Sequence, residues 1–130
     1  MKRDKKYLLT PNEEEVMEFF WDKGQPMTSV DILVSSKDHS WKDNYLNIML
    51  RSLLNKNALQ ICGTVQYGNQ YARLFTPVFT KSEYAAKLAV SRGIEDIPQV
   101  AVAMAKETGA ETDEKLIERL ENIIKELREK

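Results

Sequence analysis

The chain has 130 residues, of which 42% are hydrophobic and 30% charged, with a formal net charge of -1. Such a length and composition suit one compact core with a small additional element and exclude a disordered or fibrous chain. One Cys and one His exclude an intrachain disulfide and a Cys-rich metal framework.

The near-neutral total hides an asymmetry. Residues 1–79 hold ten Lys/Arg and nine Asp/Glu, whereas residues 80–130 hold nine and eleven. Lys2, Arg3, Lys5 and Lys6 crowd the first six residues. This start has the charge of a signal peptide but no apolar run behind it. No stretch approaches the length of a membrane span, so a cytoplasmic protein without a membrane partner is expected. The basic cluster reads either as a solubilising tail or as an arm along phosphates, where each neutralised phosphate releases a counterion.

The first predicted helix opens at Thr10-Pro11-Asn12-Glu13, with Thr10 as cap, Pro11 at the first helical position and Glu13 closing a capping box. Val16, Met17, Phe20 and Trp21 form its apolar stripe, and Lys23-Gly24 ends it. Gln25-Pro26 makes a turn. Thr28 caps a short second helix, with Asp31 three residues on and Ile32 and Leu33 as its buried positions. A third helix is predicted from Ser40, with Trp41, Tyr45, Leu46, Met49, Leu50, Leu53 and Leu54 on one apolar stripe. It stops near Lys56-Asn57.

The pattern then changes to strand. Ala58–Val65 carries Leu59, Ile61 and Val65 at even spacing, Tyr67-Gly68-Asn69-Gln70 supplies a turn, and Tyr71–Phe79 returns. Three short helices and a hairpin form the layout of a winged helix, whose second and third helices make the helix-turn-helix unit. A further capping box, Thr80-Lys81-Ser82-Glu83, opens a helix that Gly93 stops. Another runs from about Ile97 to Thr108, with Val100, Ala101, Met104 and Ala105 on its apolar face. Thr112 is the expected cap of a last helix. There Leu116, Leu120, Ile123 and Leu127 form a heptad-like seam, widened by Ile117 and Ile124. The expected architecture is mostly α: an α+β winged helix with a three-helix core and a hairpin wing over residues 1–79, then a helical dimerisation region over 80–130. A helix so apolar on one face does not stand alone in water. It either folds back on its own domain or pairs with a second copy, and Val100, Met104, Leu116, Leu120, Ile123, Ile124 and Leu127 are the expected dimer contacts of that pairing.

Chemistry-bearing residues do not assemble a catalytic site. His39 stands between Asp38 and Ser40, but a triad is built in space from separate elements, not from a local string. Cys62 reads as a small core residue of a strand. Glu13-Glu14-Glu15 favours the start of the first helix through the macrodipole. There is no phosphate-cradling loop, dinucleotide-binding glycine pattern or zinc spacing, so no enzyme, cofactor or metal is expected.

A binding function has more support. The N-terminal half of the second helix of a helix-turn-helix unit enters the major groove. Here that stretch supplies Lys42, Asn44, Tyr45, Asn47, Ile48 and Arg51, where Asn suits adenine and Arg or Lys suits guanine. Thr28 and Ser29 at the second helix, Gln70 and Arg73 in the hairpin, and Lys2, Arg3, Lys5 and Lys6 in the arm complete the candidate DNA-binding set. The same residues also fit the polar side of a surface helix, and the hairpin tip carries one charge, Arg73.

The chain resembles the penicillinase repressor family of regulators. Leu9-Thr10-Pro11-x-Glu13-x-Glu15-Val16-Met17-x-x-x-Trp21 is similar to the family's first helix. Trp41 and then Leu50-x-x-Leu53-Leu54-x-Lys56 are similar to its recognition helix. The likeness implies a dimeric winged-helix repressor on a palindromic double-stranded DNA operator. The family carries threonines where Tyr45 and Ile48 stand, a basic residue at Ser52 and a Gly at Asn57. The Asn-Phe cleavage pair of its penicillinase-type members aligns with Ala103-Met104, and the paired Cys motifs of its copper-type members are absent, so the resemblance carries over neither release mechanism and names no small-molecule effector. The alternative expectation is a winged helix used for protein contact, with DNA binding diverged or lost.

Overall fold

The computed structural model describes residues 8–35 and 41–130. The arm residues Lys2, Arg3, Lys5 and Lys6, together with His39 and the Ser40 start of the third helix, lie outside the described residues. The chain divides into two compact units, residues 1–93 and 94–130.

In the first unit, α1 (Pro11–Lys23) begins as its capping box requires. Thr10 Oγ1 accepts from the Glu13 amide, and the Glu13 carboxylate accepts from the Thr10 amide. Gly24 ends it at φ 66, the left-handed conformation that glycine adopts without a steric penalty. The α2 helix (Ser29–Ser35) carries a second reciprocal cap. The Asp31 amide donates to Thr28 Oγ1 at 3.2 Å, and the Thr28 amide donates to Asp31 Oδ2 at 3.0 Å. Ile32 is buried, but Leu33, expected beside it in the core, is exposed. Seven residues are too few for a period to say which of two adjacent positions points inward.

A 3-10 turn (Asp43–Tyr45) leads into α3 (Leu46–Asn55), so the regular helix starts later than predicted. Leu46, Met49, Leu50 and Leu53 are buried, whereas Tyr45 is exposed and leaves the expected apolar stripe. The helix closes with Asn57 at φ 59, where the Ala58 amide donates to Leu53 O and the Asn57 amide to Leu54 O. That is the Schellman arrangement with Asn in the place glycine usually takes.

The hairpin pairs β1 (Leu59–Tyr67) with β2 (Gln70–Pro77) across the two-residue turn Gly68-Asn69. The register shifts between Ile61 and Gly63, which makes Cys62 the extra residue of a bulge. Cys62 is exposed, not a core residue as its apolar neighbours suggested, and Ile61 is exposed too. Only the hairpin root, at Leu59 and Phe75, lies over the core. A third strand segment went unpredicted: Met27 and Phe75 exchange amide-to-carbonyl bonds of 3.0 and 2.8 Å. A single paired residue leaves no periodic trace in sequence.

The α4 helix (Lys81–Ser91) opens with the predicted Thr80–Glu83 box and packs into the first unit. Tyr84 is buried and stacks on Phe79 at 5.7 Å between centroids. Its hydroxyl accepts from the Leu9 amide at 2.9 Å and donates to Glu14. In the second unit, α5 (Ile97–Thr108) has the predicted bounds. The α6 helix (Glu114–Arg128) is capped by Asp113, one residue after the expected Thr112. No residue of 94–130 is buried.

One polar cluster ties α1 to α3. Glu13 is only 3% exposed. Besides the Thr10 amide, its carboxylate accepts from Ser52 Oγ and Lys56 Nζ, and Lys56 Nζ also donates to Leu8 O at 3.0 Å. Burial alone would raise the Glu13 carboxyl. Hydrogen bonds from Lys56, Ser52 and Thr10, with the Lys56 charge, outweigh burial and hold it below the ordinary range. Its stabilisation is therefore complete above the unfolded glutamate value of about 4.3, and fades as pH falls through the depressed folded value. We expect Glu13→Gln, which keeps the cap but loses the ion pair, to cost about 1–2 kcal/mol in urea unfolding at neutral pH. The gap from wild type should narrow as pH falls below the unfolded glutamate value of about 4.3 and toward the depressed folded value; a gap independent of pH would contradict the ion pair.

Candidate nucleic-acid interface

The inward face of α3 decides what its outward face presents. Leu46, Met49, Leu50 and Leu53 are at most 2% exposed. Burying each contributes about 1.5–3 kcal/mol, so rolling the helix is ruled out energetically. The outward face then holds Lys42, Asn44, Tyr45, Asn47, Ile48 and Arg51, all exposed. Tyr45 is 43% and Ile48 59% exposed. Ser52, one turn beyond Ile48, turns inward to Glu13, so the outward face is bounded there.

Beside this face runs an open groove of about 660 Å³. Ser29 from α2, Asn47 and Arg51 from α3, and Tyr67, Gln70, Tyr71 and Arg73 from the hairpin line it. Residues two apart on a strand share a face, which places Tyr71, Arg73 and Phe75 on one side of β2. Arg73 and Gln70 are among the expected DNA contacts and Tyr71 is not, although the two-residue period from Arg73 points to it. Two arginines and two tyrosines line the same groove, residue types suited to a phosphate backbone.

Thr28 takes a different place from its neighbours. It is fully buried, and its hydroxyl, besides capping α2, lies 3.0 Å from the Tyr67 hydroxyl. Thr28 therefore couples the start of α2 to the hairpin and offers no surface for a ligand. Ser29 is half-buried at the groove wall.

The residues expected at a subunit contact lie on α5 and α6. Val100 and Leu116 are half-buried, while Met104, Leu120, Ile123, Ile124 and Leu127 are exposed. Among the described residues no His, Cys, Asp or Glu cluster could hold a metal ion. Among the same described residues, no helix is long and apolar enough to cross a membrane.

Thr28→Val is expected to destabilise the fold by about 1–2 kcal/mol through loss of the cap and of the Tyr67 contact. Asn47→Ala and Arg51→Ala, on the exposed face, should stay within about 0.5 kcal/mol of wild type. Chemical denaturation of the three variants checks the assignment; equal losses would mean that the outward face is structural.

A family model described as penicillinase repressor matches residues 9–126. No curated protein matches the chain. The chain belongs to the penicillinase repressor family, whose members are regulators rather than enzymes.

Proposed function

We propose that this penicillinase repressor family member is a transcriptional repressor that binds a palindromic DNA operator as a homodimer. In this reading residues 1–79 form the DNA-binding part and residues 80–130 the dimerisation region. The observation that carries it is the groove bordered by Arg51 of α3 and Arg73 of the hairpin, next to an outward helix face rich in Asn. A phosphate strand lies in the groove, contacted by Arg73, Gln70, Tyr67, Tyr71 and Ser29. The outward face enters the major groove through Lys42, Asn44, Tyr45, Asn47, Ile48 and Arg51. Lys2, Arg3, Lys5 and Lys6 add phosphate contacts.

The apolar surface of the second unit supports the dimer. Met104 is 61% and Leu127 63% exposed in the single chain. The seam of Leu116, Leu120, Ile123 and Leu127, with Ile124, Val100 and Met104, is covered by the same surface of a second copy. The two half-sites then lie about 34–36 Å apart, or a multiple of that spacing.

A second reading, a winged helix used for protein contact, draws on the exposed Tyr45 and Ile48, since aromatic and aliphatic side chains on a surface suit a protein partner. It predicts salt-insensitive association with a protein and no footprint on DNA.

Fluorescence anisotropy with duplexes from the promoter of its own gene, across salt concentrations, separates the two. We expect binding that weakens steeply with salt, and Arg73→Ala should make the slope of log K against log salt shallower by about 1 per subunit. Absence of binding at about 50 mM salt would refute the repressor reading. Independently, Leu120→Asp with Leu127→Asp should convert the protein to a monomer in sedimentation and weaken operator binding. A wild-type monomer at micromolar concentration would remove the dimer seam.

A further inference from the structure

We propose that Ile48 reads DNA sequence directly, by covering the C5-methyl group of a thymine in each half-site. This rests on the DNA-binding reading above and names what one position of that surface recognises. Ile48 is the only residue of α3 that is both apolar and exposed. Leu46, Met49, Leu50 and Leu53 are buried, and Leu54 is half-buried against the core. The buried set fixes the roll of the helix, so the exposure of Ile48 is imposed by the fold rather than by a mobile surface. Arg51 three residues ahead is its neighbour on the helix surface and Asn47 is adjacent in sequence, while Asn44 and Tyr45 stand in the 3-10 turn that leads into the helix. All four are exposed.

The chemistry of the major groove narrows what Ile48 can meet. Base edges there present hydrogen-bond donors and acceptors, and the one apolar group is the thymine methyl. An aliphatic side chain pressed against any other edge would desolvate a polar atom without replacing its hydrogen bond. Isoleucine is also stiff, with one dominant χ1 rotamer in a helix, so little side-chain freedom is lost on contact. Asn44 and Asn47 suit adenine and Arg51 suits guanine. The outward face thus reads a short element in which a thymine lies between hydrogen-bonded purines.

The test selects a binding site for the purified full-length chain from a pool of randomised duplexes. Each thymine of that site is then replaced singly by deoxyuridine, which lacks the methyl and keeps every hydrogen-bonding group. One thymine per half-site should lose about fourfold in affinity on replacement, the equivalent of one buried methyl. Ile48→Ala should bind thymine and deoxyuridine duplexes equally, while Ile48→Val should retain most of the discrimination. Circular dichroism should report an unchanged fold for both variants, because position 48 is on the surface. If no replacement weakens the wild-type protein, or if Ile48→Ala discriminates as wild type does, the proposal is overturned and the DNA-binding reading stands. If the pool yields no enriched sequence, both fall, and the exposed Tyr45 and Ile48 belong to a protein contact.

Discussion

The carboxylate of Glu13 lies where the first and third helices meet, and it serves two purposes at once. Locally it closes the capping box of α1 by accepting from the Thr10 amide. Over a long span of sequence it accepts from Ser52 and Lys56 in the last turns of α3. A buried carboxylate is costly unless its charge and lone pairs are met, and here three donors on two elements meet them. Lys56 also stands near the C-terminus of α3, where a cation is favoured by the helix dipole. Because the ion pair joins the start of one helix to the end of the other, it fixes their relative position in a way that non-directional apolar contacts cannot. Ser52 is thereby committed to the interior, and the outward face of α3 is what remains.

The groove beside that face depends on similar ties between elements. Met27 pairs with Phe75 through two backbone hydrogen bonds and so anchors the segment before α2 to the hairpin root. The Thr28 hydroxyl meets that of Tyr67 at the far end of β1. A two-stranded hairpin is marginal alone, and these contacts hold it against α2. Arg73 and Tyr71 consequently stand on a wall whose position is set relative to Arg51. Groups held in place by secondary structure lose less freedom when they meet a ligand than groups on free loops, which is the physical basis for reading the groove as a backbone cradle despite its few charges.

What could be read from the sequence was local. The caps of α1, α2 and α4 depend on residues within four positions of one another, and each lies where Thr10, Thr28 and Thr80 place it. The bounds of α5 were fixed by Pro98 and Gly109, and the winged-helix layout by the order of periodicities. The misreadings are those that need a change of period or a distant partner. Extending the period of α3 backwards puts Tyr45 on the buried stripe. Asp43–Tyr45 instead form a 3-10 turn, whose three residues per turn slip out of phase with the helix. The apolar neighbours of Cys62 suggest a core position, but a bulge re-aims it, and bulges have no simple sequence signature. The capping role of Thr28 was legible, whereas its burial and its link to Tyr67 lie 39 residues apart and were not. The Ser52–Glu13 bond was invisible for the same reason.

In the proposed assembly the second unit answers a weakness of the first. The described part of one proposed DNA surface offers Lys42, Arg51 and Arg73 as cations, while Asp43 lies on the same turn as Asn44. With so few phosphates neutralised, the counterion-release contribution of one subunit is small. Joining two such surfaces converts the second encounter into an intramolecular one, and overall affinity can then exceed either alone by about 10² to 10⁴ without any new contact. In the proposal, the apolar residues of α5 and α6 that are exposed in the single chain supply that join. Weak charge on the recognition surface and excess apolar surface on α5 and α6 are then two sides of one arrangement. The proposed assembly thus places binding strength in the pairing of subunits and leaves the outward face of α3 to carry specificity.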